Sequence, residues 1–118
     1  MKPVMIVDDN PDIREALEQL LIAEGLEVIS AGDGVEALGA LRHGKTPCVI
    51  FLDSMMPFMN GMQFLGAIRK DPKFATIPVY VISASGDFDG AEAAVGIRGF
   101  IHKPFDPERM LEIVRRHC

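Results

Sequence analysis

Positive charge is in short supply in this sequence. It sets 12 Lys and Arg against 17 Asp and Glu, for a formal net charge of −5. An acidic surface repels phosphate backbones and anionic bilayers, so direct nucleic-acid binding and membrane association are not expected. Cysteine is scarce as well, with only Cys48 and Cys118. Cys48 falls in an apolar run and Cys118 is the last residue, so a structural disulfide is not expected and a reducing, cytoplasmic setting is. No apolar run approaches the ~20 residues of a membrane span. The opening residues turn apolar at Val4 and meet Asp8 and Asp9 soon after, which does not read as a secretion signal. Repeats, low-complexity tracts and linkers are missing. His43, His102 and His117 have no Cys or His partner at metal-binding spacing, so all three read as surface or structural residues. No glycine-rich turn follows the first apolar run, where Asp8-Asp9-Asn10-Pro11 stands instead, and this argues against a dinucleotide binder.

What is present is the make-up of one folded domain spanning residues 1–118, with 48% apolar and 25% charged residues. Short apolar runs alternate with segments of helical period. Val4 to Val7 reads as a strand. Asn10 is a good N-cap, Pro11 suits the first helical position, and Asp12 favours the positive end of the helix. Ile13, Leu17, Leu20 and Leu21 carry that helix until Gly25 stops it. Leu26 to Ala31 predicts a second strand, and Val35, Leu38 and Leu41 a second helix ending at Gly44. Cys48 to Leu52 is apolar at every position, as in a strand buried on both faces of a parallel sheet. Met62, Phe64, Leu65 and Ile68 mark a third helix. Val79 to Ile82 is a fourth strand, 89–95 a short fourth helix, and Gly99 to Ile101 a fifth strand. Asp106-Pro107 opens a last helix carried by Met110, Leu111 and Val114. Five strands alternating with five helices predict an α/β fold, a parallel sheet with helices on both faces.

In such sheets ligands bind beyond the carboxyl ends of the strands. The first strand ends in Asp8-Asp9, the third in Asp53, the fourth in Ser83-Ala84 and the fifth in His102-Lys103-Pro104. Three carboxylates brought together repel, and a hard divalent cation such as Mg²⁺ removes the repulsion. One of them could then serve as a nucleophile toward a phosphoryl group, with Lys103 supplying positive charge and Ser83 a hydroxyl donor. Singly, each residue has a plainer reading: Asp8-Asp9 as a capped turn, Asp53 as a strand-end turn residue, Ser83 as a cap, Lys103 as a surface lysine. Their joint placement at strand ends favours the site.

These residues resemble the receiver domain of two-component response regulators. The likeness rests on Val7-Asp8-Asp9-Asn10, Leu52-Asp53-Ser54-Met55-Met56-Pro57, Ser83-Ala84 and Lys103-Pro104-Phe105, and covers essentially the whole chain. It implies a flavodoxin-like doubly wound (βα)5 fold with strand order 2-1-3-4-5. It implies Asp53 as phosphoacceptor. Mg²⁺, with Mn²⁺ as a substitute, would be held by Asp9, Asp53 and the backbone carbonyl of Met55, and by Asp8 largely through water. Ser83 would be the switch hydroxyl, Phe100 the switch aromatic and Lys103 the phosphate-pairing lysine, followed by a cis Lys103-Pro104 bond. The donor would be a sensor histidine kinase or a histidine phosphotransfer protein. The output would be altered binding of a downstream protein, or of an output domain of a longer chain, through the fourth helix, fifth strand and fifth helix. The chain would catalyse only its own phosphorylation and dephosphorylation and so be a switch, not an enzyme acting on external substrate. Phosphorylation-linked dimerisation through the last helix is a habit of the family.

The sequence departs from the family pattern in places. Phe58 stands where glycine is common and Asn60 where aspartate is, so Phe58 and Met59 either contact a partner or pack on the following helix. Phe100 stands where Tyr is frequent and has no hydroxyl to bond when turned inward. The segment 86–90 is rich in glycine. Met55 and Ser85 flank the expected site, and neither is a carboxylate or amide able to orient an attacking water, which implies slow self-dephosphorylation. Two other function classes fit these residues less well. A phosphate-independent interaction module would not need the intact acidic pair, acceptor and lysine. A phosphatase with an aspartate nucleophile would look for a second acid two residues on, where Met55 stands.

Overall fold

The computed structural model describes residues 2–53, 61–83, 97–102 and 106–118. Strands β1 (Val4–Val7), β2 (Val28–Ala31), β3 (Val49–Asp53), β4 (Val79–Ser83) and β5 (Gly99–His102) alternate with helices α1 (Pro11–Ala23), α2 (Gly34–His43), α3 (Gly61–Arg69) and α4 (Pro107–His117). The strands form one parallel sheet in the order β2-β1-β3-β4-β5. The predicted order and layering hold, and the second strand lies at an edge as expected. Strand boundaries shift by one or two residues: β2 begins at Val28 rather than Leu26, β3 runs from Val49 through Asp53 rather than from Cys48 to Leu52, β4 extends to Ser83 and β5 to His102. The helix expected over 89–95, the glycine-rich 86–90, the Phe58 loop and the Lys103-Pro104 bond lie outside the described residues. The last predicted helix is α4.

Local chemistry sets where the helices start and stop. Asn10 caps α1 by accepting from the backbone N–H groups of Asp12 and Ile13, with Pro11 at the first turn. Asp33 caps α2 through the N–H of Glu36, and Asp106 caps α4 through that of Glu108. Gly25, at φ +82°, turns the chain into β2 after α1 in a conformation that other L-residues enter only at a cost.

The strand alternation divides the core into two layers. Met5, Val7, Ile50, Leu52, Val79 and Val81 face α2 and α3. Val4, Ile6, Val49, Phe51, Tyr80 and Ile82 face α1 and α4. Every residue of β1 and β3 is buried, as continuous apolar runs in a two-sided sheet require. Helices run back against the strands, so helix C-termini gather at the end where strands begin.

That geometry overturns the expectation for the cysteines. Cys118, directly after α4, meets Cys48, directly before β3, and the two form a disulfide with Cα atoms 5.5 Å apart. A separation of 70 residues in sequence hides a contact that an antiparallel helix–strand pairing creates. Beside it, His117 is hydrogen-bonded to the Tyr80 hydroxyl at 2.8 Å, with ring centroids 5.6 Å apart. His117 is thus structural.

Candidate functional site

The register of the central strands builds the site. Val7 of β1 stands opposite Leu52 of β3, so the next residues along the two strands are Asp8 and Asp53. Asp53 stands opposite Ile82 of β4, and Ser83 follows Ile82 and ends that strand. The carboxyl ends of three neighbouring strands thus bring two acids and a serine position to one edge. Asp9 follows Asp8 in the turn toward α1. Carboxylate oxygens of Asp8, Asp9 and Asp53 all lie within 4.8 Å of one another. Asp8 is fully buried and Asp53 is 4% exposed, whereas Asp9 faces solvent.

Burying two carboxylates is costly unless their charge is met, and the surrounding backbone meets part of it. The N–H of Asn10 donates to Asp8 Oδ1 at 2.9 Å, which fixes that carboxylate in the turn. Arg14, one turn into α1, donates from Nη1 to the backbone carbonyl of Asp8 at 2.7 Å. This brings a guanidinium to the acidic cluster and ties α1 to the end of β1. The sequence reading missed Arg14. Its signal was its place six residues after Asp8, on the first turn of a helix whose N-cap lies beside the site.

Of the expected site residues, Asp8, Asp9 and Asp53 come together. Ser83 ends β4 at the same edge of the sheet, level with His102 of β5. Phe100 lies in β5 opposite Val81, half-buried and packed against the core layer shared with α2 and α3. Its carbonyl accepts from Arg109 Nη2 of α4 at 3.3 Å. Lys103 and Met55 lie outside the described residues.

The donor set suits a hard cation. Three carboxylates offer only oxygen. Ligand oxygens of an octahedral Mg²⁺ lie about 3 Å apart when adjacent and about 4.2 Å apart when opposite. A spread of 4.8 Å is within a small side-chain adjustment of that. Among the described residues, no thiol or imidazole ligand, which would favour zinc, joins this cluster.

The chain matches the response regulator receiver domain family over residues 4–115. Protein PilG of Pseudomonas aeruginosa is 37% identical over 116 residues, which cover 97% of this chain and 85% of PilG. The chemotaxis protein CheY4 of Vibrio cholerae has a similar solved structure, with a TM-score of 0.90 at 33% identity, covering 100% of this chain and 99% of CheY4. The response regulator TrrA of Thermotoga maritima, solved in complex with Mg²⁺–BeF, gives a TM-score of 0.86 at 30% identity and covers both chains fully. With a parallel sheet in the order 2-1-3-4-5 and an acidic cluster at its carboxyl edge, a match over nearly every residue makes this chain a member of the response regulator receiver domain family of two-component signalling.

Proposed function

We propose that this domain takes a phosphoryl group onto Asp53 from a phosphohistidine of a sensor kinase or phosphotransfer protein, in a Mg²⁺-dependent reaction in the cytoplasm. The observation that carries the reading is the position of Asp53. It is a nearly buried carboxylate at the end of the central strand, with Asp8 and Asp9 close by. Mg²⁺ held by Asp8, Asp9 and Asp53 would offset the negative charge of the acids and of the incoming phosphoryl group. TrrA, a receiver-like relative in complex with Mg²⁺–BeF, supports that assignment.

The chain's own residues supply position. The β1–β3 register holds Asp8 level with the acceptor. The bonds from Asn10 and Arg14 keep the turn after β1 in place. Asp53 attacks phosphorus, the P–N bond of the donor breaks, and the imidazole leaves with the electron pair, so the phosphoryl group ends as an acyl phosphate. Lys103 and Ser83 pair with phosphoryl oxygens. The new charge draws Ser83 and the chain after it inward, and Phe100 turns into the space vacated. The surface of segment 89–95, β5 and α4 then changes its affinity for a downstream protein or an attached output domain. The domain acts in this way as a switch that catalyses its own phosphorylation and dephosphorylation.

The test is intact mass after incubation with a small-molecule phosphodonor, with and without Mg²⁺, beside Asp53→Asn. One phosphoryl adduct that needs both Mg²⁺ and Asp53 is expected. A folded protein that takes no adduct overturns the reading in favour of a phosphate-independent interaction module.

A further inference from the structure

We propose that Cys48 and Cys118 form a reversible redox site, at the end of the molecule opposite Asp53, that takes its oxidising equivalents from a small-molecule disulfide. Three observations carry this. The two cysteines are placed for bonding, with Cα atoms 5.5 Å apart, inside the range that disulfides span without backbone movement. The pair is asymmetric, because Cys48 is 8% exposed while Cys118 is exposed to solvent. The pair is also bordered by open space. Cys48 borders a cleft of about 260 Å³ shared with Lys2, Lys73 and His117, and Cys118 borders a groove of about 310 Å³ with Glu24 and Arg115, so a small disulfide has room beside the exposed sulfur. The thiolate is the form that attacks disulfides.

Both redox states fit the fold. In the oxidised state the bond ties the residue after α4 to the residue before β3. In the reduced state the buried Cys48 thiol has an acceptor at hand, since its sulfur lies 3.3 Å from the Pro3 carbonyl oxygen. Reduction therefore strands no buried polar group. The backbone N–H of Cys118 still donates to the Val114 carbonyl at 2.8 Å, so the helix end keeps a bond of its own.

The chemistry balances as two exchanges. The Cys118 thiolate attacks one sulfur of the small disulfide, forming a mixed disulfide and expelling a thiolate. Cys48, having lost its proton, attacks Cys118 Sγ and expels the second thiolate. The two thiol protons end on the two expelled thiolates, so one disulfide is reduced as one is formed. A thiol reductant runs the sequence backward, entering at the exposed Cys118. In a cytoplasmic setting, thiol pools keep most cysteines reduced, and pairs that do close are usually transient or redox-sensing.

The inference stands apart from the phosphoryl chemistry, and its test separates the two. The full chain is equilibrated with an oxidised and then a reduced small thiol. Thiols are trapped by alkylation, and intact mass is measured for the native protein, Cys48→Ser and Cys118→Ser. Oxidation is expected to close both thiols in the native chain with loss of two hydrogens and no added adduct. Cys48→Ser is expected to keep a mixed disulfide on Cys118, whereas Cys118→Ser, left with the buried thiol alone, is expected to take little or none. Millimolar monothiol is expected to reopen the native bond without denaturant. Amide exchange in the last turn of α4 is expected to be slower in the oxidised state, with melting raised by about 10 °C. Separate capping of the two cysteines in the native chain, a disulfide-linked dimer, or a bond that native-state monothiol cannot reopen would each overturn the proposal. Phosphoryl uptake on Asp53 is followed in both redox states, so a failure of the acceptor chemistry is seen independently.

Discussion

Arg14 reaches the end of β1 with a charged donor, and it does so through the main-chain oxygen of Asp8. A bond to a backbone carbonyl leaves both oxygens of the Asp8 carboxylate to other partners while holding a cation at the end of β1. Contacts of this kind are hidden in sequence, because they depend on how far α1 has rotated when it reaches the sheet. The acids themselves were legible, since each directly ends or follows a strand of unmistakable apolar pattern. Residue identity also leads to a kinetic expectation. Met55 and Ser85, the two residues expected to flank the acceptor, offer no carboxylate or amide to align a water. The acyl phosphate is expected to last many minutes or more at neutral pH with Mg²⁺, followed as decay of the adduct mass. Decay within seconds would show that another group orients the water. Introducing a carboxylate with Ser85→Glu is expected to shorten the lifetime.

Among the elements, α2 has an end defined by close approach. A Cβ built on Gly44 would lie 2.8 Å from the backbone oxygen of Ala40, and a main-chain atom cannot swing aside as a side-chain tip can. Gly44→Ala is expected to destabilise the fold by about 1–2 kcal/mol, the overpacking cost outweighing the entropy that alanine saves in the unfolded chain. A lowered urea midpoint at unchanged slope is the sign of this. An unchanged midpoint would mean that the loop after α2 relaxes freely. Helix starts were readable because Asn10, Asp33 and Asp106 each stand before a helical period. Strand limits were less so. Leu26 continues an apolar run yet precedes β2, because pairing with β1 starts only at Val28.

The whole molecule has an acidic edge at the carboxyl ends of its strands and a cysteine pair at the other end, where α4 closes onto the sheet. The cysteine contact at that second end was not legible in the sequence, because neighbours along the chain do not show where an antiparallel helix returns. His117 makes global stability depend on pH there. Partial burial holds its pKa below 6.5, helped by the nearby positive charges of Arg98 and then Arg116. The unfolded chain therefore binds this proton more readily than the folded one. The stabilising contribution is complete above pH 6.5 and fades as pH falls through the lower folded value. Melting of the native protein is expected to fall more steeply than that of His117→Gln as pH drops from about 7 to about 5. Parallel slopes would remove His117 from the acid response. The strand order carries a consequence for synthesis as well. β1 sits inside the sheet between β2 and β3, and its partners begin at Val28 and Val49. Asp8, Asp9 and Asp53 all belong to that first stretch of chain. A chain growing from its N-terminus therefore carries β1, β2 and β3, with every acid of the cluster, before β4 and β5 are made, but the domain folds as a unit and the acidic edge is closed only when those last strands join the sheet.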